Sequence, residues 1–375
     1  MPDVNLSRTL LALPLILLTL APTPARAERQ VGDFVMVGQT KFMIWGGVST
    51  GIMPKGASTS PDNKWLFVSN FGRKGRQNIS VYHANPMTFH RYIDYAGNSI
   101  ESIVSPDSST LYSSNMYGHF LDIIDLKTMA WKSRVKVKGF PKVILLTRDG
   151  SLAYLSLWED RAFARFNTKT QVVEFFRTGQ INPRGLALSQ DEATLYLANN
   201  GGANYSIVDA KNLVAGTPPT MRHLSLGRGP RHAVMSRDGK RLYISVMDPN
   251  AIKVIDTATE KVLRTIVVGS KPKTIIESTD GKFLYTANYA GHSMSIIDTA
   301  TWETKELPLD IVRASGITAR QDDRFIYVTG WCTDDLWAVQ RIDPGESPQT
   351  PLGTGFRRKV CRDCKRDWMG CDLIR

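Results

Sequence analysis

An aspartate two residues after a small or polar residue recurs seven times along this chain, and that recurrence constrains the fold more than any other feature. The turns are Ser60-Pro61-Asp62, Ser105-Pro106-Asp107, Thr147-Arg148-Asp149, Ser189-Gln190-Asp191, Ser236-Arg237-Asp238, Ser278-Thr279-Asp280 and Arg320-Gln321-Asp322. Their spacings are 45, 42, 42, 47, 42 and 42 residues. A period of this length marks a repeat architecture in which each unit is one supersecondary element stacked on its neighbours. A chain of 375 residues would otherwise suggest two or three domains. The repeats override that expectation.

Each unit has the same internal grammar. After the Asp turn, often completed by Gly150, Gly239 or Gly281, comes a β-rich run such as Leu242-Tyr243-Ile244-Ser245. A second run, typified by Ile252 to Asp256, closes on Thr-Ala-Thr, and a third, such as Val262 to Val268, ends at Gly269. A fourth begins at a proline (Pro141, Pro183, Pro230, Pro272) and leads into the next Asp turn. Four short strands punctuated by turn residues make an antiparallel blade. Seven of them predict an all-β, seven-bladed β-propeller. The last unit supplies three clear strands, and Lys41 to Gly47 takes the place of an outermost one. The N-terminal strand is therefore expected to close the last blade, leaving no open edge.

These residues resemble the YVTN-type β-propeller repeat family. The likeness rests on Tyr327-Val328-Thr329, on Leu284-Tyr285-Thr286-Ala287-Asn288 running on to Ser295 to Thr301, and on Leu242-Tyr243 running on to Val254 to Thr259. It covers roughly residues 50 to 343. The resemblance implies the fold; propellers host scaffolds, lyases, lactonases and cofactor-dependent dehydrogenase subunits alike, so it leaves the activity open. The unit at 147 to 188 departs most, with Leu157-Trp158-Glu159-Asp160 where an asparagine segment is usual.

The ends read differently. Arg8, an apolar run from Leu10 to Leu20 broken by Pro14, and Ala25-Arg26-Ala27 form a leader pattern. The run is too short to span a bilayer, which takes roughly 20 residues. Residues 1–27 are expected to be a signal peptide, 28–343 the propeller, and 344–375 a Pro/Gly linker and basic cysteine-bearing tail. A periplasmic or secreted, monomeric protein follows. The net charge of +12 belongs almost wholly to the part after the leader. Such a balance favours an anionic ligand or acidic protein partner, with unspecific nucleic-acid binding left open. No helix-turn-helix or zinc-finger spacing supports a dedicated nucleic-acid module.

Aligned on the Asp turns, the residue opening the innermost strand is Lys55, Ile100, Lys142, Arg184, Arg231, Lys273 and Ser315. Five of the seven are basic, so a near-ring of positive charge is expected at one mouth of the channel. The competing interpretation is a set of solvated loop lysines and arginines. His119, Arg161 and His292 occupy equivalent places before third strands on the same face, and His232 follows Arg231. Imidazoles so placed suit a metal, a haem iron or acid-base work, or ordinary packing. No close His pair or His-x-x-Glu-His spacing supports a dedicated metal site. Glu101 and Glu277 with Asn182 or Asn288 would be the donors of a lactonase-type metal centre, but they fall at different heights in the repeat. No Gly-x-Ser-x-Gly or phosphate-cradling loop occurs.

Cys332, Cys361, Cys364 and Cys371 are expected to form two disulfides, one tying the tail to Cys332. A four-sulfur metal site is the alternative. Cys361-x-x-Cys364 lacks the histidine of a c-type haem site, since Lys365 follows. The tail either covers the last blade or caps the channel with Trp368-Met369 as its anchor. The function expected is a non-catalytic scaffold without cofactor, binding an anion or acidic partner on its basic face. The alternative is a propeller enzyme or cofactor-binding subunit using the histidines and arginines of that face.

Overall fold

The computed structural model describes residues 31–72 and 75–352. The signal-peptide expectation, the three tail cysteines and Trp368-Met369 lie outside them. Among the described residues every regular element is a strand. They form seven antiparallel sheets, six with strands in sequence order and one closed by the N-terminal segment.

The first blade shows the plan: Pro54–Thr59 innermost, then Trp65–Asn70, Ile79–Ala84 and Met87–Ile93. In the seventh, Ala314–Ala319, Phe325–Gly330 and Asp335–Ile342 are followed outward by Thr40–Ser49, which pairs Lys41 with Ile342 and Ser49 with Asp335. The expected closure is present. A fifth strand, Phe34–Val37, adds to this sheet through the Val37 to Thr40 hairpin, which the repeat grammar did not announce.

The recurring turn has a local cause. Ser236 Oγ donates to Asp238 Oδ1 at 2.6 Å, the same oxygen accepts from Lys240 N at 3.0 Å, and Arg241 N donates to Ser236 Oγ at 2.9 Å. This hydroxyl-carboxylate clasp repeats at 60, 105, 147, 189 and 278. The seventh turn substitutes chemistry: the Arg320 guanidinium grips the Asp322 carboxylate at 2.7 Å. The Thr-Ala-Thr corners are closed likewise, Asp256 Oδ1 accepting from Thr259 N at 2.7 Å while Thr257 Oγ1 donates to Gly239 O at 2.8 Å.

Apolar clusters lie between blades, where alternate residues of neighbouring sheets meet. The repeat tyrosines Tyr243, Tyr285 and Tyr327 are fully buried, and Tyr285 packs edge-on to Phe42 of the closing strand at 5.9 Å. Outermost strands are solvent-facing, as in Val262–Val267, where Leu263 and Val267 are exposed.

Around the axis the innermost strands approach so closely that some positions exclude a side chain. A Cβ on Gly316 would collide with the Lys55 carbonyl oxygen, one on Gly185 with the His232 backbone, and one on Gly56 with the Glu101 carboxylate. Gly316→Ala is expected to cost about 1–3 kcal/mol, the usual effect of overpacking. Urea unfolding at equal m-value measures it.

Candidate functional site

The five basic residues enter the channel because of a shared backbone irregularity. After Pro54, Pro141, Pro183, Pro230 and Pro272 the pairing with the second strand shifts register, so the residue following each proline sits in a bulge. Bulges re-aim side chains. Here they bring Lys55, Lys142, Arg184, Arg231 and Lys273 together at one end of the channel, and all are between 4% and 9% exposed. They are buried cations, not solvated loop ends. Ile100 and Ser315 hold the same place in the other two blades, also buried.

One acid bears on all five. Glu101, in Glu101–Val104 of the second blade, has Oε1 3.8 Å from Arg184 Nη2, and its carboxylate acts on Lys55, Lys142, Arg231 and Lys273 as well. Burial pushes the three lysines well below the ordinary lysine range, and their mutual repulsion with Arg184 and Arg231 adds to this. The guanidiniums keep their charge. Burial also pushes Glu101 up, against the pull of the surrounding cations.

Above the cations stands a collar formed by the first residue after each second strand. It reads Phe71, Met116, Trp158, Asn200, Met247, Tyr289 and Trp331. Lys55 Nζ lies 4.7 Å from the Trp331 ring centre, Lys142 Nζ 4.5 Å from Trp158, and Lys273 Nζ 4.0 Å from Tyr289. Lys142 Nζ also meets Met116 Sδ at 2.9 Å, and Arg231 Nη1 donates to Asn200 Oδ1 at 2.7 Å. Arene faces partly offset the lost hydration of a buried cation. They do not supply its missing acceptors. Arg231 Nε, Trp158 Nε1 and His232 Nδ1 are buried without a partner among the described residues. An orphaned buried donor costs about 1–3 kcal/mol.

The histidines and Arg161 take different places. His232 lies within the cation cluster, where burial first, and then Arg184, pushes it down to about 4. His119, Arg161 and His292 occupy left-handed turn positions with φ of 59, 51 and 56°, matched by Asn250 and Asp334 in other blades. The side chains of His119 and His292, like those of Asn250 and Asp334, strap the loop leading into the following blade, whereas Arg161 contributes its carbonyl oxygen, which accepts from Thr178 N and Oγ1, each at 2.8 Å. His292 Nδ1 accepts from Arg313 N at 2.9 Å, as Asn250 Oδ1 does from Lys271 N and Asp334 Oδ1 from Met53 N, each at 2.8 Å. His119 Nδ1 likewise meets Gly139 O. The lactonase-type donors stay apart. Glu277 lies at the opposite end of its strand, accepting from Arg237 N at 2.7 Å; Asn288 serves Ser293 and Ser295; Asn182 is a turn residue. Among the described residues no group of three or more His, Cys, Asp or Glu is placed to hold a metal. Two further histidines, His83 and His90, lie 5.4 Å apart on the outer strands of the first blade, both against Trp65. Cys332 is buried in the loop beside Trp331, and the partners expected for it lie outside the described residues.

Glu277 carries its own pH signature. Burial raises its carboxyl from 4.5 to about 7, opposed by the Arg237 contacts. A raised folded pKa means stability that is complete below the unfolded value and lost as pH climbs through the folded one. Glu277→Gln is therefore expected to be more stable than the natural chain by about 1–2 kcal/mol near pH 8, with the gap closing below pH 4.5. Thermal melts across that range read it directly.

This geometry is that of a propeller with a charged axial pocket, and comparison places it among its relatives. The chain belongs to the YNCE-like beta-propeller family, whose model matches residues 43–281. It is 30% identical over 175 residues to Antigen Lp49 of Leptospira interrogans serogroup Icterohaemorrhagiae serovar copenhageni (strain Fiocruz L1-130). That match takes in 44% of this chain and 36% of the relative, so the chain spans about a third of that protein's length. Among solved structures, a chain of Kuenenia stuttgartiensis Hydrazine Synthase superposes with a TM-score of 0.68 over 80% of this chain and 98% of its own, at 19% identity. The likeness is one of fold.

Proposed function

We propose that this protein is an exported binding propeller whose channel mouth holds a small multivalent anion. The observation that carries the reading is five buried cations arranged around a single carboxylate. Buried charge without compensation is strongly unfavourable, so the cluster gains most from a ligand rich in negative acceptors. The orphaned donors Arg231 Nε and Trp158 Nε1 supply directional hydrogen bonds to it. Depth favours a small molecule over a flat acidic protein surface, since side chains 4–9% exposed are reached by entering the channel. Export rests on the leader pattern of residues 1–27 in the sequence. A scaffold role is the natural companion, with the outer faces left for other partners.

Citrate and inorganic phosphate, titrated at low salt, test this reading. Both are expected to raise the melting temperature and to bind one site per chain. Because the pocket is buried, affinity should fall gently with added salt. A polyanion bound across the outer surface would show the steep salt dependence of counterion release instead. Absence of any anion-induced shift removes the reading.

A further inference from the structure

Lys55 and Lys273 form a pair unlike the other cations at the mouth. Both side chains are buried, 8% and 5% exposed, at the face of one aromatic ring. Lys273 Nζ also lies 3.0 Å from Ser315 Oγ and 4.0 Å from the Tyr289 ring centre. The Trp331 ring stands beside both amines, 4.7 Å from Lys55 Nζ and 5.5 Å from Lys273 Nζ. An ammonium group has donors and no acceptor. Two buried ammonium groups at one indole face repel, and the repulsion is relieved when one of them is the free amine. The Ser315 hydroxyl, which can donate as well as accept, lies against Lys273 Nζ and can serve a lone pair there, so Lys273 is the amine and Lys55 keeps its proton. A desolvated amine held beside a fixed cation is how a lysine becomes a nucleophile near neutral pH.

We propose that Lys273 captures an anionic aldehyde or ketone as an imine at the channel mouth. The inference rests on the anion-binding reading, with Arg184 and Arg231 holding the ligand's anionic group and Tyr289 and Trp331 flanking its body. The Lys273 Nζ lone pair forms a bond to the carbonyl carbon, and the carbonyl π pair moves to oxygen, which takes a proton from Lys55. One of the two nitrogen protons then passes to the hydroxyl oxygen, and the C–O bond breaks as a water molecule departs with its electron pair. The nitrogen lone pair forms the C=N bond, and the second nitrogen proton returns to Lys55. Amine and carbonyl compound thus give imine and water, with no oxidant or reductant required.

Pyridoxal 5′-phosphate is the probe, because it joins an aldehyde, a planar ring and a dianionic group. The full chain is incubated with it, reduced with borohydride and mapped by peptide mass spectrometry. Lys273 should be labelled about tenfold or more faster than exposed Lys282, and citrate should protect it. Pyridoxal, which lacks the phosphate, should label Lys273 no faster than Lys282. Lys273→Arg keeps the charge and should lose the adduct. Lys55→Met should slow labelling about tenfold, because removing the neighbouring cation makes Lys273 more basic. Equal labelling of Lys273 and Lys282 overturns the inference. If citrate still raises the melting temperature in that case, anion binding stands and only the imine chemistry falls; if it does not, both fall.

Discussion

Lys273→Met is expected to melt a few degrees higher than the natural chain in the absence of added anion, and to bind citrate about a hundredfold more weakly. Both effects have one cause. Lys273 sits among Lys55, Arg184 and Arg231 with Glu101 as the shared acid, and burial holds its amine well below the ordinary range. A lysine whose folded pKa is depressed stabilises the fold above its unfolded value, and that stability is lost as pH falls through the folded value. Near neutrality the empty pocket therefore weakens the fold. Replacing a buried ionic group by an apolar one of similar volume is often stabilising by about 1–4 kcal/mol, or roughly 2–4 °C per kcal/mol for a domain of this size class. The same replacement removes a buried partner of the anion, for which a loss of about 2–5 kcal/mol is typical. Differential scanning calorimetry and titration calorimetry on one preparation read the two signs together. A variant that lost stability and kept its affinity would show that Lys273 is a packing residue.

Glu101→Gln is expected to move stability the opposite way. The change removes the negative charge that Lys55, Lys142, Arg184, Arg231 and Lys273 share while leaving the shape of the site intact. Burial alone would favour the neutral amide, as at Glu277, but here the change leaves five buried cations with no acid among them, and breaking a buried ionic arrangement by removing one partner typically costs about 3–5 kcal/mol. A drop of roughly 10 °C follows. Added citrate should restore much of it, because the anion supplies the missing negative charge. Gly56 leaves room for that carboxylate, so Gly56→Ala should reproduce part of the defect by displacing Glu101. Destabilisation that citrate leaves untouched would place the role of Glu101 in local packing.

Much of the fold was legible because its signals are local. The Ser-x-Asp clasp, the Thr-Ala-Thr corners and the prolines opening innermost strands each act within a few residues, and a fixed period repeats the clasp in six turns and the proline in five blades. The fifth strand, Phe34–Val37, carries no such signal; it joins the sheet because Val37 to Thr40 turns back on a closing strand that itself depends on ring closure. The ring of cations was visible in register, but its burial was not. Burial arises from the bulge after each proline and from the close approach of innermost strands at Gly56, Gly185 and Gly316. Glu101 appears in the sequence as a donor for a metal centre, whereas the ring sets it among cations and sends Glu277 to the other face. The collar of Phe71, Trp158, Tyr289 and Trp331 was available to the same alignment, one residue beyond each second strand. His119 and His292 illustrate the converse: equivalent placement reflects a left-handed turn that Asn250 and Asp334 fill as well. His83 and His90 escaped notice because a hairpin, not a motif, brings them together.

The most direct measurement is calorimetric titration of citrate into the protein at about pH 8 and low salt, repeated in buffers of different ionisation enthalpy. Bound anion stabilises the protonated forms of Lys55, Lys142 and Lys273, whose amines burial has depressed. One site per chain with net proton uptake, lost in Lys55→Met and Lys273→Met, is the predicted result. No binding, or binding with no proton uptake that both variants retain, would contradict an anion pocket at the channel mouth.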